Sequence, residues 1–289
     1  MKFSRMADLN RRLIVSSISV IAVSFLIAFS SNRGVSFFLM LCVAALASIG
    51  VWEYAQLAIA KDIRPSTPLM VCIAALEVAA FYASLVFVDF PQLPALVLAA
   101  AAILLFLNHF KDTTNALPNI AVQFFGVCYV AVPLSFLLGV LYPFAHDGAP
   151  QEGKWWLAYL IVVTKITDVG AYFVGRLWGR HQLSPLLSPK KTVEGAVAGL
   201  LCAVGMSLAM HYMGDLFSHG TFHLSFRESI LLGILIGIFG QIGDLAESLL
   251  KRDAVVKDSN TLPGLGGILD MVDSLLLTTP IVYFFLRLH

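Results

Sequence analysis

The sequence predicts an all-α membrane protein, a polytopic bundle of about nine transmembrane helices with a cytoplasmic N-terminus. Hydrophobic residues make up 58% of the 289 residues and charged residues 13%, about half of the charged share in a soluble domain. Apolar runs long enough to cross a bilayer, about 20 residues, recur along the chain. Lys and Arg also concentrate in alternate connections between those runs. A single polytopic membrane domain accounts for all three observations.

Nine apolar windows define the predicted spans, and turn-forming residues separate them. The windows cover residues 13–30, 35–60, 68–88, 93–108, 117–142, 155–175, 193–214, 228–246 and 268–288. Prolines lie between these windows or near their ends, at Pro65, Pro91, Pro118, Pro150, Pro189 and Pro263. The fourth window is short and the second and fifth are long, so eight or ten spans remain alternatives.

The positions of Lys and Arg predict the orientation. Cytoplasmic segments of membrane proteins carry an excess of both residues. With nine spans and a cytoplasmic N-terminus, fourteen of them fall on the cytoplasmic side and four on the other. The first window follows a basic start, but residues 30–32, Ser-Ser-Asn, form a poor cleavage site. We therefore expect a retained helix and not a signal peptide.

Charged residues divide the chain into two regions, 1–150 and 151–289. In the first region they lie mostly at the ends of windows, which predicts a scaffold of transmembrane helices with lipid or oligomer contacts. In the second they enter the windows, which predicts a catalytic region. Glu53 and Glu77 are exceptions within the first region. We expect each to lie near a membrane interface or to hydrogen-bond a neighbouring helix.

The densest group of charged residues lies between positions 241 and 274. Asp244, Glu247, Ser248 and Lys251 are spaced three and four residues apart and share one face of a helix. Charged side chains deep in a bilayer cost about 2.5–3.5 kcal/mol each unless they are paired or functional. Ordinary pairing at a helix end is the alternative, but Asp244 lies deeper than such pairing requires.

A glycine-rich turn at positions 264–267 leads directly into the last predicted helix. Backbone N–H groups of such a turn, together with the helix N-terminus, favour a bound anion. Asp270 and Asp273 follow at a spacing of three and face one side of the helix. With Asp244 they would form an oxygen-rich cluster, which Mg²⁺ prefers. Simple stabilisation of a helix N-terminus by aspartate is the alternative.

Two further groups lie on the same predicted side of the membrane. Lys165 and Asp168 are three residues apart in the sixth window, where they form either a structural pair or part of a site. Lys190 and Lys191 precede the seventh window and would bind either a substrate phosphate or anionic lipid headgroups. Thr192 is the expected N-cap of that helix. Basic residues, a glycine turn and acidic metal ligands recur in phosphoryl-transfer sites.

The order and spacing of these residues carry a family resemblance over about residues 160–280. The longest motif is Ser248-x-x-Lys251-Arg252-x4-Lys257-Asp258, then Pro263-Gly264-x-Gly266-Gly267-x-x-Asp270-x-x-Asp273-Ser274. Upstream lie Thr167-Asp168-x-Gly170-Ala171-Tyr172, Ser188-Pro189-Lys190-Lys191-Thr192-x-Glu194-Gly195 and Gln241-x-Gly243-Asp244-x-x-Glu247. Together they resemble the signature of the CDP-diacylglycerol synthases, also called phosphatidate cytidylyltransferases. The family usually has His where this chain has Leu265, and Arg where it has Met271.

The resemblance implies a reaction in phospholipid biosynthesis and three groups of site residues. CTP and phosphatidic acid would give CDP-diacylglycerol and pyrophosphate. The implied ligands of Mg²⁺ are Asp168, Asp244, Asp270 and Asp273, and a second, monovalent cation is left open. The implied catalytic residues are Asp244, Lys251, Arg252, Lys257, Asp270 and Asp273. The implied nucleotide-binding residues are Ser188, Lys190, Lys191, Gly264, Gly266 and Gly267.

Three other functions remain as alternatives. A CTP-dependent prenol or lipid kinase would release CDP and no pyrophosphate. An ion-coupled transporter would use Glu53, Glu77, Lys165 and Asp168, but broken-helix transporters often have two related halves, and here the glycine and acid motifs lie in one. Loss of the family His and Arg is also compatible with an inactive scaffold.

The sequence also predicts partners and a location. Besides the two substrates, we expect membrane lipid and no nucleic acid as partners, and a homodimer is left open. We expect a bacterial inner-membrane protein with its site on the cytoplasmic side.

Overall fold

The chain folds into a bundle of helices with one small hairpin. A computed structural model describes residues 24–110, 114–142, 152–218, 220–256 and 267–288, except the side chain of residue 215. Its helices are α1 (Arg33–Ile59), α2 (Thr67–Val86), α3 (Leu93–His109), α4 (Ala116–Leu141), α5 (Gly153–Trp178), α6 (Val193–Ser218), α7 (Phe226–Asp253) and α8 (Ile268–Leu288). Residues 24–28 are also helical. The predicted helical membrane architecture is therefore confirmed in outline.

Seven of these helices are long and apolar enough to cross a membrane, as expected of an integral membrane protein. The helix α3 has 17 residues and is shorter than those seven. Most of the first predicted window, 13–30, lies outside the described residues. A count of nine spans and a cytoplasmic N-terminus therefore stay predictions.

A two-stranded antiparallel sheet connects α5 to α6, a detail that the all-α prediction did not include. Its strands are β1 (Gln182–Ser184) and β2 (Ser188–Thr192), paired through Gln182 with Thr192 and Ser184 with Ser188. Strand β1 has only three residues, too few for alternation to be recognised, and β2 (Ser-Pro-Lys-Lys-Thr) does not alternate apolar and polar residues. The hairpin carries the lysine pair that was expected to lie in a loop.

Contacts between helix ends define one end of the bundle, called here the charged end. Lys61, after α1, pairs with Asp253, the last residue of α7, at 3.2 Å. The Arg252 Nε atom, also at the end of α7, donates to the Leu187 carbonyl in the hairpin at 3.1 Å. The backbone N–H of Arg64 donates to a side-chain oxygen at the start of α4. The helices therefore alternate in direction, and the predicted site segments meet at one end.

The helix α8 joins two packed cores. Its first half contributes Leu269 and Leu276 to a core formed mainly with α1, α2 and α4. Its second half contributes Val282 and Leu286 to a core formed with α5, α6 and α7. Packing therefore runs across the predicted boundary at residue 150, and that boundary itself stays a prediction.

Candidate active site

Three carboxylates from two helices form the centre of the candidate site. Asp244 and Glu247 lie one turn apart on α7, and Asp273 lies in the second turn of α8. One oxygen atom of each lies within 4.8 Å of the others. Glu247 is only 3% exposed and Asp273 only 7%. The structure thus brings together Asp244 and Asp273, as predicted, and adds Glu247, which was placed on the same helix face but not among the metal ligands.

Lysines from separate segments contact this carboxylate cluster. The Nζ atom of Lys191, on β2, lies 2.6 Å from an Asp244 oxygen. The Nζ atom of Lys251 lies 2.7 Å from an oxygen of Glu247 and also contacts Asp270. Asp270 therefore lies beside the cluster, and its carboxylate forms an ion pair with Lys251. Each of these lysines compensates carboxylates that would be costly to bury alone.

Asp168 lies on the α5 side of the cluster with its predicted partner Lys165. The Lys165 Nζ atom contacts an Asp168 oxygen at 3.4 Å and the Ser274 hydroxyl at 3.3 Å. The Ser274 hydroxyl also donates to Asp168 at 3.3 Å. The structural pair left open by the sequence is therefore present, and it links α5 to the part of α8 that carries Asp273.

The site has an excess of negative formal charge, which a bound cation would offset. Among the side chains described above, five carboxylates face three lysines, a formal excess of two negative charges. Carboxylate oxygens are the ligands that Mg²⁺ prefers, and opposite ligands of that ion lie about 4.2 Å apart. The spacing of up to 4.8 Å between the cluster oxygens is close to this value. Asp244, Glu247 and Asp273 therefore fit a divalent cation.

The hairpin holds one lysine of the predicted pair against the site. Lys191 reaches Asp244, whereas its neighbour Lys190 is exposed, as expected for adjacent residues of a strand. The backbone N–H of Gly195 donates to the Thr192 hydroxyl at 3.1 Å, which confirms Thr192 as the cap of α6. Ser188, at the start of β2, is half-buried. Arg252 is exposed and bonds the hairpin backbone.

Part of the predicted site lies outside the described residues. This applies to Lys257, to Gly264 and Gly266, and to Leu265 between them. Gly267 is described and buried, and its carbonyl accepts from the backbone N–H of Met271 at 3.3 Å. The roles of the first three residues stay predictions.

A residue of the predicted scaffold also reaches the site. The Glu53 carboxylate, on α1, accepts hydrogen bonds from the backbone N–H groups of Ile268 at 2.9 Å and Leu269 at 2.8 Å. Its predicted bond to a neighbouring helix is therefore confirmed. However, the sequence also predicted that the N-terminus of α8 favours a bound substrate anion. In the structure, the acceptor for the N–H groups of Ile268 and Leu269 is the Glu53 carboxylate. Sequence spacing gave no signal for the contact, because the residues are 215 positions apart.

Comparisons with known proteins show the family of this chain. A phosphatidate cytidylyltransferase of Chlamydia pneumoniae is 35% identical over 284 residues, which cover 96% of this chain and 92% of that protein. One of Chlamydia muridarum is 40% identical over 183 residues, covering 61% and 57% of the two chains. One of Staphylococcus aureus is 39% identical over 148 residues, covering 50% and 54%. A model of the cytidylyltransferase family matches residues 10–289, and this chain belongs to that family.

Proposed function

We propose that this protein transfers the cytidylyl group of CTP to phosphatidic acid, forming CDP-diacylglycerol and pyrophosphate in phospholipid biosynthesis. The observation that carries the proposal is the cluster of buried carboxylates and lysines at one end of an apolar bundle. The relative that spans nearly the whole chain is named a phosphatidate cytidylyltransferase, which supports the same reaction. A lipid substrate also suits a site built from helices that can cross a membrane.

The reaction requires positioning and charge neutralisation more than proton transfer. An oxygen of the lipid phosphate attacks the α-phosphorus of CTP and forms the new phosphorus–oxygen bond. The bond from that phosphorus to the oxygen bridging to the β-phosphorus breaks, and pyrophosphate leaves with the bonding electrons. The nucleophile is already an anion, so no general base is needed. Fixed cationic groups can stabilise the charge that develops.

The proposed metal ligands are Asp244, Glu247 and Asp273. Asp168 and Asp270, the other two predicted ligands, lie next to this group. When bound, Mg²⁺ supplies positive charge that offsets the charge of the triphosphate. The chain's part is to hold its carboxylates on two rigid helices before substrate arrives. A second, monovalent cation would be a further occupant of the same group of acidic residues.

The proposed phosphate-binding residues are the site lysines. Lys191 and Lys251 contact carboxylates of the cluster and are therefore held within reach of a phosphate placed on it. The Lys165 Nζ atom, on α5, donates to the Ser274 hydroxyl on α8 and so lies on the α5 side of the cluster. Lys190, Arg252 and Lys257 are proposed to contact the outer phosphates or the lipid headgroup, with the glycine turn at positions 264–267 allowing close approach.

The proposed setting is a bacterial inner membrane, with the charged end facing the cytoplasm. The excess of Lys and Arg in the segments of that end supports this orientation. CTP is available on that side. Nine spans and a cytoplasmic N-terminus are part of the same proposal, whereas a homodimer is left open. Fusion of reporters to each connection would test the topology.

Release of pyrophosphate by the purified protein tests the function directly. The assay contains CTP, Mg²⁺ and phosphatidic acid, with ATP in place of CTP and a reaction without lipid as controls. We expect release only when both CTP and phosphatidic acid are present, with CDP-diacylglycerol as the lipid product. Formation of CDP from CTP and a prenol would instead identify a lipid kinase. No turnover by the folded protein would contradict the proposal and direct attention to Leu265 and Met271.

A further inference from the structure

Glu53 binds the start of α8 through both of its carboxylate oxygens. One oxygen accepts from Ile268 N–H and the other from Leu269 N–H, at 2.9 and 2.8 Å. The Glu53 side chain comes from α1 and is only 1% exposed. Its two partners are among the first four N–H groups of the helix, which have no acceptor within the helix itself.

This contact is stronger than ordinary helix packing. A carboxylate at a helix N-terminus is favoured by the helix dipole, and its bonds to N–H groups are charge-assisted. In a buried setting the contact is not weakened by solvent. Replacing the carboxylate with an amide would leave one acceptor oxygen for these two buried N–H groups, and a buried N–H group without an acceptor is costly.

The residues that follow this contact are those of the candidate site. Asp270 lies one residue after Leu269, and Asp273 lies one turn further along α8. Helix ends fray unless they are held, so the first turn of α8 depends on what fixes it. Gly267 is the first described residue before α8, so among the described residues the Glu53 contact is the one that joins this helix start to α1 by hydrogen bonds.

We propose that Glu53 is a positioning residue, which fixes the first turn of α8 and thereby sets Asp270 and Asp273 against α7. The inference rests on the proposed function, because it concerns the same site. It assigns α1 an indirect role in the site, through the position of α8, although the sequence predicted a scaffold for the region that contains α1. It also implies that substrate phosphates bind elsewhere than on the N–H groups of Ile268 and Leu269, which are already occupied.

The test compares Glu53→Gln with Glu77→Gln. Glu77 is a suitable control because it is also a glutamate on a scaffold helix, α2, and is also 1% exposed. Among the described residues its Oε2 atom has no hydrogen-bond partner. Both variants replace a buried glutamate with glutamine, but among the described residues only Glu53 hydrogen-bonds α8. Glu53→Asp serves as a second variant, because it keeps the charge and is too short to reach both N–H groups.

Two measurements separate positioning from general stability. Hydrogen–deuterium exchange follows the peptide covering residues 267–276 and does not depend on the reaction. Steady-state kinetics give kcat, the KM for phosphatidic acid and the Mg²⁺ concentration for half-maximal rate. For Glu53→Gln we expect exchange in that peptide to rise about tenfold, kcat to fall about tenfold and the Mg²⁺ requirement to rise. KM for phosphatidic acid should stay within about twofold, and Glu53→Asp should change in the same direction by less.

The outcomes are distinguishable. Glu77→Gln should leave exchange at the start of α8 and the Mg²⁺ requirement unchanged. The inference is overturned if Glu53→Gln exchanges like the wild type, or if α8 opens while kcat and the Mg²⁺ requirement do not change. It is also overturned if both Gln variants lose activity equally. If the wild type lacked cytidylyl transfer altogether, the exchange experiment would still report whether Glu53 holds α8.

Discussion

Gly243 on α7 lies directly against the backbone carbonyl of Asp273 on α8. A Cβ atom at position 243 would overlap that carbonyl oxygen and lie 3.2 Å from the Cα atom of Ser274. The side chains of Asp244 and Glu247 therefore reach Asp273 because the residue before them has no side chain. Small residues allow close approach of helices in membrane proteins, and here the approach forms the carboxylate cluster.

The first prediction concerns this contact between α7 and α8. Replacing Gly243 with Ala should force the two helices apart, because the new methyl group meets backbone atoms that cannot rotate away. Overpacking of this kind costs about 1–3 kcal/mol of unfolding free energy. A displacement of about 1 Å at the reacting groups lowers turnover about 100-fold. Thermal unfolding and pyrophosphate release at saturating CTP measure the two effects.

Gly205, on α6, provides the matched control. A Cβ atom there meets no described atom within 4 Å. Gly205→Ala should therefore keep full activity and raise the unfolding free energy by about 0.4–1 kcal/mol, because alanine restricts the unfolded chain. Equal activity of the two variants would show that the spacing of α7 and α8 does not align the site.

The second prediction concerns Asp270. The sequence predicted it as a metal ligand, and in the structure its carboxylate forms an ion pair with Lys251. Asp270→Asn should leave the protein folded and inserted but lower turnover at least about 100-fold, because it removes charge from the site. Asp253→Asn is the control, since Asp253 lies on the surface of the same bundle end and pairs only with Lys61 among the described residues. Near-normal turnover of Asp270→Asn would remove Asp270 from the metal site.

The helices of the bundle could be predicted because each is an apolar run with a recognisable start. The predicted window 193–214 begins where α6 begins, since Thr192 marks a helix cap. The window 268–288 matches α8 because a glycine-rich sequence, which disfavours helix, precedes it. The window 228–246 was too short, because α7 continues to Asp253 through its charged face. Hydropathy detects the apolar part of a helix and not its polar extension.

The partners within the site could be predicted only in part. A spacing of three residues places Asp270 and Asp273 on neighbouring positions of one face, but the two side chains still diverge by about 60°. One meets Lys251 and the other joins the cluster with Asp244. Which residue of another helix contacts each of these two carboxylates depends on tertiary packing. The same limit applies to Glu53, whose partners are distant in sequence.

The third prediction concerns Lys251, which joins the carboxylates of Glu247 and Asp270 and is 13% exposed. Lys251→Met should lower the unfolding free energy by about 3–5 kcal/mol, because it leaves two largely buried carboxylates without their cation. Lys61→Met removes a lysine from an exposed pair with Asp253 and should cost about 0.2–1 kcal/mol. Chemical denaturation in detergent measures both.

A double variant separates the charge effect from lost packing of the Lys251 side chain. Adding Glu247→Gln to Lys251→Met removes one of the unpaired carboxylates and should recover part of the lost stability. It should not recover turnover, since both residues belong to the proposed site. If the double variant is no more stable than Lys251→Met alone, the loss comes from packing and not from uncompensated charge.

The fourth prediction uses two adjacent lysines that face different surroundings. Lys191 contacts Asp244 at 2.6 Å, whereas Lys190 is exposed on the same strand. Lys191→Gln should lower kcat/KM for CTP about 100-fold, because a charged donor fixed beside the metal ligands is lost. Lys190→Gln removes the same charge one residue away and should lower kcat/KM by no more than about fivefold, because an exposed ion pair with an outer phosphate is worth about 0.2–1 kcal/mol. The two variants have the same net charge, so a general electrostatic attraction of CTP would affect them equally. Equal losses would therefore show that the two lysines act through general attraction of CTP, and would contradict a specific role for Lys191.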